Sequence, residues 1–124
     1  MDLREKKTVR NISNAFLELR AKKPLEKITV RELSETAEIS KATFYLHYKD
    51  VYDLSDRLQQ DALHRMISGI DDPLIFINDP VAAHRKLQLA FESYRSLLNI
   101  LFSGPQEALL PQYVNDQKDA ERSL

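Results

Sequence analysis

Ser40 to Lys49 reads Ser-Lys-Ala-Thr-Phe-Tyr-Leu-His-Tyr-Lys, a dense run of groups suited to gripping a polyanion and touching base edges. The phenol of Tyr45, the imidazole of His47 and the ammonium of Lys49 suit backbone phosphates. Thr43 offers a hydroxyl to a phosphate or base and a methyl to thymine, and a residue as small as Ala42 lets the backbone approach base edges. Phe44 is the apolar residue that would hold such a helix down, with Tyr48 packed beside it and Tyr45 exposed. Lys41, Ala42, Thr43, Tyr45 and His47 then fall on the outer side.

Other chemistries find little support. Cysteine is absent, which removes thiolate nucleophiles, thiolate metal sites and disulfides. His47, His64 and His84 lie at no metal-ligand spacing, so no metal is expected. His64 and His84 read as surface or pocket-edge residues. Asp71-Asp72 and Asp116 with Asp119 read as turn and cap residues rather than paired catalytic carboxylates. Only two glycines are present, too few for a phosphate-cradling loop. No catalytic residue, enzyme activity or cofactor is expected.

The elements that must position the Ser40–Lys49 run are helical, since so few glycines also disfavour hairpin-rich folds. Val9, Ile12, Phe16 and Leu19 recur at three and four, predicting a helix from Arg4 to Lys22 that Pro24 ends. Thr29-Val30-Arg31-Glu32 predicts a capping box, with the Thr29 hydroxyl on the third amide and Glu32 reaching back to the cap's own N–H. The short helix behind it ends near Thr36 or Ala37. Ser40 caps the next, a three- or four-residue turn away. That spacing matches a helix-turn-helix locked by Val30, Leu33, Ala37, Ile39 and Phe44.

Asp50 and Asp53 predict the start of a longer helix with Leu54, Leu58, Ala62 and Met66 on its inner stripe, stopped by Asp71-Asp72-Pro73. Asp79-Pro80 starts another, expected to reach Phe102 before Gly104-Pro105. Its wide apolar stripe includes Leu87, Ala90, Phe91, Tyr94, Leu97, Leu98 and Leu101. Gln106–Leu124, interrupted by Pro111, is expected to be a short helix or loose.

The 124 residues fit one modest domain. Apolar residues at 43% and charged residues at 30% argue against a disordered chain. Residues 1–50 carry 11 Lys/Arg against 8 Asp/Glu, net +3, while residues 51–124 are net −4 with 7 against 11. The two halves therefore suit different partners. No secretion signal and no apolar run of about 20 residues is present, so a cytoplasmic protein with no membrane partner is expected.

Residues 4–58 resemble the N-terminal domain of the tetracycline-repressor (TetR) family of bacterial transcriptional regulators. The resemblance rests on Ala15-Phe16, on Ile28 through Leu33, on Ala37, on Ile39 through Asp50 and on Leu54. It implies an all-α protein: a helix-turn-helix head at 1–50 with its motif at 28–47, a linking fourth helix at 51–72, and a partial regulatory or dimerisation region at 73–124. It implies a homodimer on a palindromic DNA operator, acting as a repressor, with a small-molecule effector or a partner protein. Thr29 and Arg31 would meet phosphates, Lys41, Ala42 and Thr43 bases or adjacent backbone, and Tyr45, His47 and Lys49 phosphates, with Ser40 also among the DNA-binding residues. Leu87, Phe91, Tyr94 and Leu98 would line an effector cavity or a dimer contact. A helical interaction module acting through a partner protein is the alternative. Glu38 stands where the family has glycine, and Val51 where it often has lysine. The chain is also shorter than the family's usual span, which reads as a fragment or shortened form.

Overall fold

The structure, a computed structural model, describes residues 2–70, 72 and 74–111. The protein is all-α, with no strand among the described residues. Helices run over Leu3–Arg20 (α1), Val30–Ala37 (α2), Lys41–His47 (α3), Val51–Ser68 (α4), Ile75–Asn78 (α5), Pro80–Ser93 (α6) and Arg95–Leu101 (α7). Two compact units divide the chain between Leu58 and Gln59.

In the first unit, Asp2 caps α1 by accepting the Glu5 N–H at 2.8 Å. Ile12, Ala15, Phe16 and Leu19 are buried from one face, as their spacing requires. The helix ends at Arg20, short of the expected Lys22, because the Lys22 and Lys23 amides both turn back to the Leu19 carbonyl ahead of Pro24. Arg20 is itself buried and donates to the Lys23 carbonyl at 3.4 Å. Burial pulls its guanidinium down from its ordinary value, and Glu26 partly offsets this. A 3₁₀ turn at Leu25–Lys27, which no periodicity announces, puts Leu25 into the core.

The capping box at α2 is half formed. Thr29 accepts the Glu32 N–H at 3.1 Å as expected. The Glu32 carboxylate, however, is held by the Lys23 ammonium at 2.5 and 2.6 Å. A full charge competes better for a carboxylate than a neutral cap amide does. The far end of α2 closes with Ile39 N–H on the Ser34 carbonyl and Glu38 N–H on that of Glu35. This is a Schellman closure, and it places Glu38 in the left-handed region at φ 59°, ψ 44°. Glu38 takes this conformation although it is not glycine, and the cost is carried as backbone strain.

α1 packs on α2, and α2 on α3. Phe16, Leu33, Phe44 and Leu54 are fully buried in this unit. Val51 opens α4 and is buried too, so this position serves the core rather than the surface.

The second unit begins inside α4. Ala62 and Met66 are buried as expected, with Leu63 and Ile67 beside them, whereas the expected stripe member Leu58, in the first unit, is only half-buried. Gln59 is buried and donates to the Leu101 carbonyl at 2.8 Å and to the Gln106 side-chain carbonyl at 3.1 Å. A short α5 precedes α6, and Asp79 caps α6 by accepting the Ala82 N–H at 3.1 Å. The single helix expected to reach Phe102 is instead two. Tyr94 leaves helical geometry at φ −106°, ψ 9°. Leu98, Leu101 and Phe102 are buried after the break, while Leu87, Phe91 and Tyr94 before it stay half-buried. No proline or glycine marks the spot, so burial of the α7 residues overrides local helix propensity. A 3₁₀ segment follows at Gly104–Leu109. The readings for Asp71, Pro73, Asp116, Asp119 and the rest of residues 112–124 lie outside the described residues.

Relieving the left-handed strain gives a direct test. Glu38→Gly is expected to stabilise the chain by about 0.5–1 kcal/mol, part of the gain being lost to the freer unfolded chain. Urea denaturation of the two proteins side by side measures it, and an unchanged or lower midpoint contradicts the strain.

Candidate nucleic-acid interface

α3 is presented by what lies under it. Phe44 is fully buried, with Tyr48 at 5.7 Å between ring centroids and Tyr45 edge-on at 5.4 Å. Ser40 starts the helix by accepting the Thr43 N–H at 3.0 Å, and the Ser40 and Thr43 hydroxyls are hydrogen-bonded to each other at 2.9 Å. A helix that begins at Lys41 and buries position 44 must turn positions 42, 45 and 46 away from the core. Lys41, Ala42, Tyr45 and Leu46 are accordingly exposed, while Thr43 and His47 are half-buried. Tyr48 is buried and Tyr45 is 55% exposed, as expected for both.

The segment leaving α3 is tied to α4. The Asp50 carboxylate accepts the Asp53 N–H at 2.7 Å, and the Asp53 carboxylate accepts the Lys49 N–H at 2.9 Å. Arg57 donates to Asp53 at 3.3 Å and lies 5.3 Å from the Tyr48 ring centre, a cation–π contact. The backbone of Lys49 is thus held while its side chain stays in solvent. The Lys49 amide, more than the attraction of Arg57 and Lys49, holds the Asp53 carboxyl below its ordinary value, against the opposing effect of burial.

Thr29 and Arg31 stand exposed at the start of α2. The Thr29 hydroxyl is already an acceptor for the Glu32 N–H and keeps its own proton to donate. Arg31 is bound to Glu35 at 3.2 Å, with both side chains largely exposed. Any phosphate contact by Arg31 competes with that carboxylate.

On α3 and in the first turn of α4, two exposed residues escaped the sequence reading. Leu46 is 82% exposed and Tyr52, in the first turn of α4, is 56% exposed. For Leu46 the signal was present: it lies four residues after Ala42, on the face opposite Phe44.

In the second unit the residues expected to act together are divided. Tyr94 borders a cleft of about 330 Å³ with Arg65, Met66, Ile70, Lys86 and Leu89. Phe91 and Leu98 border another of about 270 Å³ with Arg95, Phe102 and Leu110. Leu87 is half-buried and lines neither of these two. Among the described residues no group of three or more His, Asp or Glu could hold a metal ion, and no helix is long and apolar enough to cross a membrane.

No protein-family model matches the chain, and no curated protein or solved structure matches it either.

Asp53 predicts a pH dependence. Its folded pKa lies below the ordinary 3.8, so its stabilisation is complete above that value and is lost as pH falls through the folded value. Asp53→Asn is therefore expected to be less stable than wild type near neutrality, the gap closing from about pH 4 downward. Urea titrations across the acid range measure this, and a gap that stays constant with pH contradicts it.

Proposed function

We propose that this chain is a sequence-specific DNA-binding transcriptional regulator resembling the tetracycline-repressor family, with α2 and α3 as its helix-turn-helix. The observation that carries the reading is the outer face of α3. Lys41, Ala42 and Tyr45 are exposed on a helix anchored from beneath by Phe44, with Lys49 exposed just beyond it. A helix held this way and bearing cations, a phenol and small residues suits the major groove.

In this reading Tyr45, His47 and Lys49 meet phosphates and set register, whereas Lys41, Ala42 and Thr43 face base edges. Thr29 and Arg31 add phosphate contacts from α2. Binding leans on hydroxyls and fit as much as on charge, because Glu35 already engages Arg31. A homodimer would put two α3 helices into successive major grooves, about 34 Å apart on a palindromic site. The regulator would act as a repressor, its second unit supplying the dimer contact and answering to a small-molecule effector.

A second reading has one observation in its favour. Leu74, Ile77 and Val81 are 52, 57 and 71% exposed in the second unit. Such an apolar run suits a protein partner and fits an interaction module that acts without DNA.

The two separate on duplex binding. The DNA-reading chain binds random duplex at low salt and loses affinity steeply as salt rises. Lys49→Ala is expected to weaken all sequences alike and to flatten the salt slope by about 0.9 for each phosphate contact removed. Thr43→Ala is expected to alter the preference among sequences, by about 1–3 kcal/mol at the base concerned. Fluorescence anisotropy on random and selected duplexes reads both. A chain that ignores duplex DNA at the lowest salt, yet stably binds a helical protein, supports the interaction module instead.

A further inference from the structure

The centre of the exposed α3 face carries no hydrogen-bonding side chain. Ala42 and Leu46 lie one turn apart on that face, and Leu46 is 82% exposed. The groups around them have other engagements or other reach. The Thr43 hydroxyl is bonded to that of Ser40 at 2.9 Å, and the Tyr45 ring is packed edge-on against Phe44. Lys41 precedes the pair in sequence and Lys49 follows it beyond the end of α3, both exposed cations. An alkyl surface on a helix with an exposed lysine at its start and another just past its end is complementary to one feature of duplex DNA: the 5-methyl of thymine in the major groove, with phosphates on either side.

We infer that Leu46, together with Ala42, is a specificity-determining surface that recognises thymine methyl groups, so that the preferred site carries thymine beneath it. The inference rests on the DNA-reading function proposed above and names what that face reads. Methyl contact then adds to the base choice made by the polar groups beside it. A leucine pressed on a methyl excludes water from both, which the polar edge of cytosine in the same place cannot match.

The experiment begins with selection of preferred duplexes from a random pool by the full 124-residue chain. Each thymine of the selected site is then replaced in turn by deoxyuridine, which keeps the pairing edge and removes only the methyl. Affinity is measured at one fixed salt concentration. At one or two positions in each half of the site, wild type is expected to lose about three- to fivefold, the worth of one buried methyl. Leu46→Ala is expected to bind the thymine and uracil duplexes equally, while keeping the wild-type salt slope. Since Leu46 packs on so little, that variant should melt as wild type does. Leu46→Gln supplies a second readout, moving the preferred base at the same positions from thymine towards adenine, whose N6 and N7 a side-chain amide can pair.

Wild-type binding indifferent to every uracil replacement overturns the inference and leaves DNA reading intact. So does a methyl sensitivity that survives in Leu46→Ala. Failure of the chain to bind or enrich any duplex overturns the DNA-reading function itself and the inference with it.

Discussion

A helix of seven residues does not hold together alone in water, because its few hydrogen bonds cannot offset the cost of nucleating it. α3 therefore depends on Phe44. Full burial of that ring, worth roughly 1.5–3 kcal/mol, pins the middle of the helix to the core formed by α1 and α2. The remaining side chains inherit their directions from this one anchor. With position 44 inward, Ala42, Tyr45 and Leu46 face solvent by helical geometry. Tyr48 and Arg57 extend the anchor, since the Tyr48 ring lies against Phe44 on one side and near the guanidinium on the other.

Around that anchor, charge is organised locally rather than as a basic field. Lys23 is spent on Glu32, Arg31 on Glu35 and Arg57 on Asp53. The exposed pair Arg31–Glu35 contributes little to stability, as solvent screens it. Its effect is to lower the charge available at the start of α2. Lys41, at the start of α3, and Lys49, just past its end, are exposed cations. On the proposed function, a surface this sparing in charge would obtain selectivity from shape, hydroxyls and apolar contact, which is the logic that joins that function to the role inferred for Leu46.

The second unit follows a different constraint. Gln59 is buried, and its amide is satisfied by the Leu101 carbonyl and the Gln106 side chain. An amide buried without partners would cost about 1–3 kcal/mol, so these bonds link α4 to the end of α7 as firmly as the packing of Leu63 and Leu101 does. The break at Tyr94 lets α7 bury Leu98 and Leu101 there, and it divides the apolar stripe between two shallow clefts. Leu74, Ile77 and Val81 remain in solvent.

Much of this was legible in the residues themselves. Spacing of apolar positions gave the inward faces of α1 and α3, and Thr29, Ser40 and Asp79 sit where a side-chain oxygen must meet the first free amides of a helix. Such information is local, carried within one or two turns, so a linear reading reaches it. The tertiary structure alone decided where Glu32 would send its carboxylate, because Lys23 is nine residues away in sequence and arrives only through the turn at Leu25–Lys27. It alone decided that Glu38 would bear a left-handed backbone and that one expected helix would become α6 and α7. Each of these turns on a competition between a local preference and a distant partner. Only packing sets the strength of the distant partner.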